Sequence, residues 1–457
     1  MLENAERSVD ITSMQTAKDV QIKSEIIIRE NIESLNKLLS LNAKVNSINH
    51  SYLGKKIYQE TLKNGLSIII IPDKTLEKRY ISWNVNCGSA NTAFWNSETY
   101  QNFNHGIASY LEYELLERRT IIGDLRELKN CCSSQTYKNY TNYSLTAEDD
   151  FLELLPKFLK AMQEPLKYYD LKESERFLYR KVLLEEKSEY QILYDGLLRL
   201  MYTNRNIYLD KYGFIDNLNI SFTELQRFYS AYYSPENIVI VAIGDFDISN
   251  LLEHIKKNIF IKKESFIKVN TDFNQEIRNY YGHKKEIKLN YNENYFAIGI
   301  KLPIENSNIV KRKVLLEILM EEYFGNLSDF RNDVDKKDLL KDFFVLVENN
   351  KLFSHIVILG KSNDRYEISR RVRKIFKNIP KSLTDLGQFD LSRTRILERI
   401  QKLNLQSLNN EVVLEYFEDS KDINMWTNRN DFDVVSILDT MKKMDNSEIF
   451  ELNIKVN

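Results

Sequence analysis

Residues 104–117 read NHGIASYLEYELLE, and this stretch decides the interpretation of the whole chain. Its apolar spacing predicts a helix over 105–117 that starts near Asn104. Ser109 and Tyr113 are four residues apart and therefore share one helical face, with Glu112 beside that face. On these residues alone, the pattern is typical of an amphipathic helix with an inner side formed by Ile107, Ala108 and Leu111.

Strand and helix patterns lie on both sides of this helix. Residues 66–71 form an apolar run that ends at the turn Pro72-Asp73-Lys74, which is typical of a buried strand. Residues 80–87 alternate as a second strand and end at Gly88-Ser89. Further strands are predicted at 137–146 and 237–243, and further helices at 151–162, 171–190, 222–232 and 251–259.

The second half of the chain repeats this order of elements. Trp83 aligns with Ala297 and Leu145 with Leu359 at one common spacing, which indicates an internal duplication. Both halves mix antiparallel-type strands with helices, so the sequence predicts an α+β fold in which helices pack on a sheet. The repeated elements are a strand at 295–302, a helix at 310–324, a hairpin at 343–349 and 352–360, and a helix at 366–377.

The length of 457 residues exceeds one compact core and fits two domains. We expect an N-terminal helical extension at 1–57, a first domain at 58–261, a linker at 262–285 and a second domain at 286–457. Within the extension, one helical stripe carries Ile28, Ile32, Leu35 and Leu39. That stripe either packs on the body of the same chain or docks a partner.

Charge and hydropathy patterns exclude two classes of partner. Lys plus Arg number 64 and Asp plus Glu number 66, so the net charge is -2 and there is no basic field for nucleic acid. The longest apolar runs, such as residues 238–243, are far shorter than the ~20 residues of a membrane span. We therefore expect neither a nucleic-acid partner nor a membrane.

The cysteines predict a reducing compartment. Cys87, Cys131 and Cys132 make a poor disulfide framework, because their number is odd and two are adjacent. The first residues, MLENAERSVDITSMQ, lack the basic-then-apolar layout of a secretory signal. These features favour a cytoplasmic protein. We expect Cys87 to be a core residue, and Cys131 and Cys132 to be small buried residues at the start of a strand.

The stretch 104–117 resembles the zinc-binding helix of the M16 (pitrilysin/insulinase) metallopeptidase family, whose pattern is G-[ILV]-A-H-F-L-E-H. In that family two histidines hold zinc, and the glutamate between them activates the zinc-bound water. The resemblance places Ser109 at the first histidine, Tyr113 at the second and Glu112 at the glutamate. The third zinc ligand of the family would align with Glu186, or alternatively Glu185, in VLLEEKSEY (182–190).

The resemblance covers about residues 58–450 and rests on the order of several segments. It implies two homologous LuxS/MPP-like domains, each with helices packed on a mostly antiparallel sheet, that form half of a clam-like chamber. The first-half segments are LKNGLSIIIIPD (62–73), WNVNCGSAN (83–91), YTNYSLTAEDDFLELLPKFLKAM (140–162) and ELQRFYSAYYSPENIVIVAIGDFD (224–247). The second-half segments are NYFAIGIKLP, EEYFGNLSDF and HIVILGKSND.

The absence of both histidines predicts that this chain holds no catalytic zinc. Such a zinc takes three protein ligands and keeps one position for water. A serine hydroxyl is a poor ligand, and a tyrosine binds well only as a phenolate, formed from a group with a pKa of ~10. We therefore expect no catalytic residue, no metal and no other cofactor in this chain.

His105 is the one histidine near the motif, one turn before Ser109. One interpretation groups His105, Glu112 and Glu186 around an unusual metal and predicts an altered peptidase. The other makes His105 a capping or surface residue. Without zinc, the Glu112 carboxylate alone cannot make water attack an amide usefully.

The M16 resemblance implies a role as a non-catalytic subunit. Family members often work in pairs around a closed chamber, and in several bacterial and mitochondrial pairs one subunit lacks the zinc motif. We expect a heterodimer with an active M16 subunit that carries the zinc, and binding of extended peptide substrates. Such pairs include ones that trim precursor or leader peptides of ribosomally made bacteriocins. The alternative is a stand-alone peptide-binding scaffold.

Overall fold

The structure, a computed structural model, describes most of the chain from Asn46 onward. The described residues are 46–50, 53–95, 100–164, 174–176, 178–179, 187–209, 211, 220–261, 283–289, 293–305, 308–379, 386–419, 434–443 and 448–456. The stripe predicted through residues 28–39 lies outside these ranges, as does most of the helix predicted at 171–190.

The first half of the chain forms a seven-stranded sheet and a separate short hairpin. The strands are β1 (Asn46–His50), β2 (Lys55–Thr61), β3 (Ser67–Pro72), β4 (Arg79–Val85), β5 (Ala93–Trp95), β6 (Tyr100–Asn102), β7 (Cys132–Thr136), β8 (Thr141–Ala147) and β9 (Ile238–Gly244). The sheet order is β1-β2-β3-β9-β4-β8-β7, and β5 pairs with β6. Within this sheet, β3 and β9 run parallel and the other neighbours run antiparallel. Strand β9 is buried along its whole length, as its continuous apolar run requires.

The central strands of this sheet carry apolar side chains on both faces. Ile68 and Ile70 of β3 pack with the helices of the first domain. Ile69 and Ile71 point to the other face, as the two-residue period of a strand requires. The helices of this half are α1 (Ile107–Glu112), α2 (Arg118–Ile121), α3 (Phe151–Gln163), α4 (Glu189–Met201), α5 (Arg205–Tyr208), α6 (Phe222–Tyr232) and α7 (Ile248–Lys257).

The second half forms a five-stranded sheet with the same topology. Its strands are β10 (Lys284–Leu289), β11 (Tyr295–Lys301), β12 (Leu340–Asn349), β13 (Ser354–Ser362) and β14 (Glu448–Val456), in the order β10-β14-β11-β13-β12. The first sheet contains the equivalent order β3-β9-β4-β8-β7, also starting with a parallel pair. This match confirms the predicted duplication of an α+β fold. The helices are α8 (Ile309–Phe324), α9 (Asp329–Lys336), α10 (Arg365–Asn378), α11 (Leu386–Gln401), α12 (Leu405–Glu418) and α13 (Val434–Lys443).

Two helices join the halves, because each packs on the sheet of the other half. Helix α4 contacts β11, β13 and β14, whereas α12 contacts β4 and β9. The contacts of α12 include buried polar ones. His50 Nε2 lies 2.9 Å from Glu415 Oε2, and the Ser82 hydroxyl donates to Asn409 Oδ1 at 2.6 Å. The two domains therefore share one continuous interior.

Several predicted boundaries differ from the observed ones. The predicted helical extension at 1–57 includes β1 and the start of β2, because these residues pair as an antiparallel ladder. The predicted linker at 262–285 includes the first residues of β10, which pair with β14. The strand predicted at 137–146 begins at Thr141, since the residues before it make the turn of the β7–β8 hairpin. None of the described helices has both the length and the apolar character needed to cross a membrane.

Candidate functional site

The helix that carries the motif lies in the interior of the first domain. Helix α1 begins after Gly106, whose φ of 89° lies in the left-handed region that glycine adopts without strain. Every residue from Ile107 to Glu112 is buried, so the expected amphipathic pattern is wrong. The reason is that β7 and α6 both pack against this helix, and together they cover its polar residues as well as its apolar ones.

Ser109 and Tyr113, the two positions aligned with histidines, are both enclosed. Ser109 is 1% exposed, and its hydroxyl donates to the backbone carbonyl of Lys211 at 2.8 Å. Tyr113 is 3% exposed. A carbonyl of the chain itself therefore lies beside the first motif position, where the M16 pattern has an imidazole.

Glu112, the retained motif residue, is held by the edge strand β7. The Ser134 hydroxyl donates to Oε1 at 2.8 Å, and the Thr136 hydroxyl donates to Oε2 at 2.5 Å. Ser134 and Thr136 are two residues apart, so their side chains lie on the same face of the strand. Glu112 thus connects α1 to β7, and both of its oxygens accept hydrogen bonds. A general base instead directs an oxygen at the water that it deprotonates.

Two buried tyrosines lie near the Glu112 carboxylate. The hydroxyls of Tyr143, on β8, and Tyr233 are 2.7 Å apart and share a hydrogen bond. Burial raises the pKa of both phenols well above the usual value, and the negative charge of Glu112 acts in the same direction. Both groups are therefore neutral hydroxyls at pH 7, and neither supplies a phenolate to a metal.

The helix changes geometry at the second motif position. Residues Tyr113–Glu117 form a π-helical turn, in which the Arg118 N–H bonds to the carbonyl of Tyr113. Inside this turn, the buried Glu114 lies 3.8 Å from the Arg118 side chain. Turns of this kind are frequent at functional sites. The turn rotates the following residues away from the positions that a regular α-helix would give them.

His105 lies at the edge of the site and is half-buried. Burial lowers its pKa below the usual value, and the positive charges of Arg205 and Lys138 lower it further. His105 is therefore neutral at pH 7. Glu185 and Glu186 lie outside the described residues, so their alignment with the third ligand position stays a prediction.

The described residues around the motif do not fit a catalytic zinc. Within the described ranges, no three His, Cys, Asp or Glu side chains are grouped so that they could hold a metal ion. Ser109 is a hydroxyl that donates to a carbonyl, and the two oxygens of Glu112 are oriented toward hydroxyls of β7, so these residues do not form the set of three ligands that a catalytic zinc takes. We therefore derive no step that passes through a metal bound to this chain.

The cysteines lie in the first domain as free thiols. Cys87 is buried, and burial raises the pKa of its thiol well above the usual value. Cys131 and Cys132 are only partly buried, which corrects the expectation that both are buried. The reason is their place at the start of β7, the last strand at its edge of the sheet.

A cavity of about 510 Å³ opens between the two domains beside the motif. Its walls come from β7, α4, residues 207–209 and Lys211 of the first half, and from β12 and Phe353 of the second half. Gln135 of β7 lies in this wall, between the two residues that hold Glu112. The volume falls within the range of about 300–1,000 Å³ that is typical of ligand pockets.

Three residues of the site were not predicted from the sequence: Ser134, Thr136 and Lys211. The alternation in CSSQT could have indicated a strand with a polar face toward α1. No sequence signal marks Lys211, because it contributes a backbone carbonyl, which any residue has.

Comparisons with known proteins agree with this structure. A family model described as the Peptidase M16 inactive domain matches residues 219–403. YmfH of Bacillus subtilis (strain 168), described as an uncharacterized zinc protease, is 22% identical over 322 residues, which cover 66% of this chain and 72% of YmfH. The zinc protease PqqE of Helicobacter pylori (strain ATCC 700392 / 26695) is 25% identical over 401 residues, which cover 81% of this chain and 84% of PqqE.

A solved structure has the same fold. An M16-like peptidase from Alicyclobacillus acidocaldarius matches with a TM-score of 0.78 and 16% sequence identity, over 92% of this chain and 100% of that one. Fold and motif together define a two-domain M16-type protein that keeps the motif glutamate without the two histidines. The matched segment, the two relatives and the fold together support an M16 (pitrilysin/insulinase-like) family member.

Proposed function

We propose that this chain is a non-catalytic M16 subunit that pairs with a zinc-bearing M16 subunit and binds the peptide that the partner cleaves. The contacts of Ser109 and Glu112, the aligned motif residues, support this proposal. Ser109 bonds to the carbonyl of Lys211, and the hydroxyls of β7 engage both oxygens of Glu112. A peptidase of this type needs two imidazoles and an available carboxylate at these positions.

The surroundings of the motif support a role in binding peptides. The cavity between the domains has a size suited to a few side chains and is lined by polar, charged and aromatic groups. Strand β7 is the end strand of its sheet and forms part of the cavity wall. An end strand can pair with an extended peptide through its main-chain groups.

The proposal divides the chemistry between two subunits. Zinc in the partner would supply an activated water and polarise the scissile carbonyl. This chain would bind and orient the peptide and help to exclude bulk water from the chamber. Precursor or leader peptides of ribosomally made bacteriocins are the substrate class that the family resemblance suggests.

A cytoplasmic location completes the proposal. It is supported by the three free thiols at Cys87, Cys131 and Cys132, since free thiols persist best in a reducing compartment. Fractionation of the native host, with antibodies against this chain, tests the location directly. Recovery of the chain outside the cytoplasm would contradict it.

Reconstitution tests the proposed pairing. The genes next to that of this chain are searched for an M16 relative with an intact H-x-x-E-H motif. That relative is co-expressed with this chain, and each protein is also purified alone. We expect a heterodimer with one zinc, and peptide cleavage that requires both chains. If the relative neither binds this chain nor gains activity from it, the pairing is wrong and a stand-alone scaffold becomes the better description.

Two variants assign the catalytic role within the heterodimer. Glutamine in place of the motif glutamate of the zinc-bearing subunit is expected to abolish cleavage. Glu112→Gln in this chain keeps a hydrogen-bonding side chain and is expected to change kcat by less than about twofold. Loss of cleavage in Glu112→Gln while the heterodimer still forms would instead assign catalysis to this chain. Stoichiometric zinc and cleavage by the isolated chain would favour the altered peptidase.

A further inference from the structure

Glu348 is one of the charged residues that line the cavity between the domains, and its carboxylate is held by a tyrosine hydroxyl. It lies on β12 and is half-buried. Its Oε1 accepts a hydrogen bond from the Tyr194 hydroxyl at 3.0 Å. Among the described residues, no cationic side chain lies within ion-pair distance of Glu348. The charge of Glu348 acts on Lys313, but Lys313 forms its ion pair with Glu411, at 2.5 Å.

A row of buried groups fixes the orientation of this carboxylate. Glu348 is the direct neighbour of His355 across the β12–β13 ladder. The Tyr194 hydroxyl lies 3.2 Å from His355 Nε2, and the Tyr202 hydroxyl lies 2.9 Å from His355 Nδ1. The ring of Phe353 stacks on the imidazole, with the ring centroids 5.2 Å apart. His355 is fully buried and contacts Tyr194, Tyr202 and Phe353. The Tyr194 hydroxyl, which donates to Glu348, therefore has little freedom to move.

The neutral imidazole of His355 sets which groups donate and which accept in this row of hydrogen bonds. Burial lowers the pKa of His355 below the usual value, although the charge of Glu348 acts in the opposite direction. A neutral imidazole has one donor and one acceptor nitrogen. In one arrangement every contact is satisfied: Tyr202 donates to Nδ1, Nε2–H donates to Tyr194, and Tyr194 donates to Glu348. The row engages only Oε1 of the Glu348 carboxylate, so its second oxygen can accept a hydrogen bond from a ligand.

Contacts within the protein engage three of the four other charged groups that line the cavity, and the fourth is Lys211. Asp195 pairs with Lys187 at 2.8 Å. Lys138 donates to the backbone carbonyl of Leu209, beside the motif. Three aromatic residues, Tyr194, Tyr208 and Phe353, complete the wall, and aromatic faces attract cations. Arg199 already lies over the ring of Tyr208, at 5.9 Å from its centroid.

We propose that this cavity binds a cationic group of the peptide, the ammonium of a lysine or the guanidinium of an arginine, with Glu348 as its acceptor. Tyr194 and His355 act as positioning residues. The inference rests on the proposed peptide-binding function and adds a substrate preference to it. A free peptide amino terminus has the same chemistry, so the test separates the two sources.

The test measures direct binding by the isolated full chain. Fluorescence anisotropy compares three random peptide libraries, acetylated and amidated at their ends, with arginine, norleucine or glutamate at one fixed position. A fourth library has norleucine at that position and a free amino terminus. We expect the arginine library to bind about tenfold more tightly than the norleucine library, the scale of one charge-assisted hydrogen bond. Glu348→Gln should remove this preference and leave norleucine binding unchanged. Tyr194→Phe should reduce the preference by a few-fold.

Control variants and outcomes keep the two hypotheses separate. Glu153→Gln removes an exposed carboxylate on α3 and should keep the full preference. Equal binding of arginine and norleucine libraries by the unaltered chain overturns the cationic site but leaves peptide binding intact. A preference that survives Glu348→Gln also overturns it. If only peptides with a free amino terminus bind tightly, the cationic group that the cavity binds is the amino terminus, and the proposed basic side chain is wrong. If no library binds, peptide binding itself fails.

Discussion

The Thr136 hydroxyl lies 2.5 Å from Oε2 of Glu112, and this contact joins an edge strand to the helix of the degenerate motif. Ser134, two residues earlier on the same strand, holds the other oxygen. The glutamate that the M16 pattern assigns to water activation is thus the acceptor that attaches β7 to α1. Its retention without the histidines has a structural explanation, because its removal would deprive the buried Thr136 hydroxyl and the partly buried Ser134 hydroxyl of their acceptor.

Truncation of Glu112 should therefore reduce stability. Glu112→Ala removes the acceptor of Ser134 and Thr136, and we expect a loss of about 1–3 kcal/mol in the free energy of unfolding. Urea unfolding followed by circular dichroism measures this loss. Glu153→Ala, on the exposed side of α3, is the matched control and should stay within about 0.5 kcal/mol of the unaltered chain. Equal stability of the two variants would mean that Glu112 has no structural role.

Restoring the two histidines alone should not restore the metal. In the variant Ser109→His with Tyr113→His, the first imidazole enters a position that is 1% exposed and lies beside the carbonyl of Lys211. Overpacking at such a site typically costs about 1–3 kcal/mol. We expect less than stoichiometric zinc after dialysis against a weak chelator, measured by atomic emission. One zinc per chain would prove that the ligand geometry has survived.

The fold could be predicted from the sequence where local periodicity and burial agree. Strands β4, β9 and β11 carry continuous or alternating apolar runs, and α6 was predicted at its observed residues. Strands β1 and β10 were not predicted, because NSINH and KKEIKL are polar edge sequences. Strand β1 pairs with the adjacent β2, and β10 pairs with the distant β14. Tertiary pairing, rather than propensity, decides such strands.

The site was predictable only in its helix positions. The M16 resemblance placed Ser109 and Tyr113 at the positions of the missing ligands, and their spacing of four placed both on one helical face. Their actual contacts could not be derived, because the carbonyl of Lys211 and the hydroxyl of Thr136 come from other elements. For the same reason the pairing of Glu348 with Tyr194, from opposite halves of the chain, required the structure.

Glu451 should make stability depend on acid pH. Its carboxylate is 2% exposed; burial alone would raise its pKa, but hydrogen bonds from Ser369, Lys284 and Asn453 and the charge of Lys284 outweigh burial and lower the pKa to about 2. The unfolded chain has an ordinary glutamate pKa of about 4.3. A lowered folded pKa gives stability that is complete above the unfolded value and is lost as the pH falls toward the folded value.

The corresponding measurement compares urea midpoints of the unaltered chain and Glu451→Gln between about pH 7 and pH 2. Glutamine keeps the shape but cannot ionise. The unaltered chain should be the more stable one above about pH 5, and the difference should shrink steadily as the pH falls to about 2. A difference that stays constant over this range would show that the pKa of Glu451 is the same in the folded and unfolded states.

The contact between His50 and Glu415 should stabilise the packing of the second half on the first sheet. The two residues are 365 positions apart in the sequence, and both side chains are almost completely buried. His50→Ala removes one partner of the Glu415 carboxylate, so we expect a loss of about 1–3 kcal/mol and faster hydrogen exchange in α12. His254→Ala, on the surface helix α7, is the control and should leave α12 unchanged. If both variants exchange at the same rate in α12, the buried pair does not hold this helix on the sheet, and apolar packing alone accounts for its position.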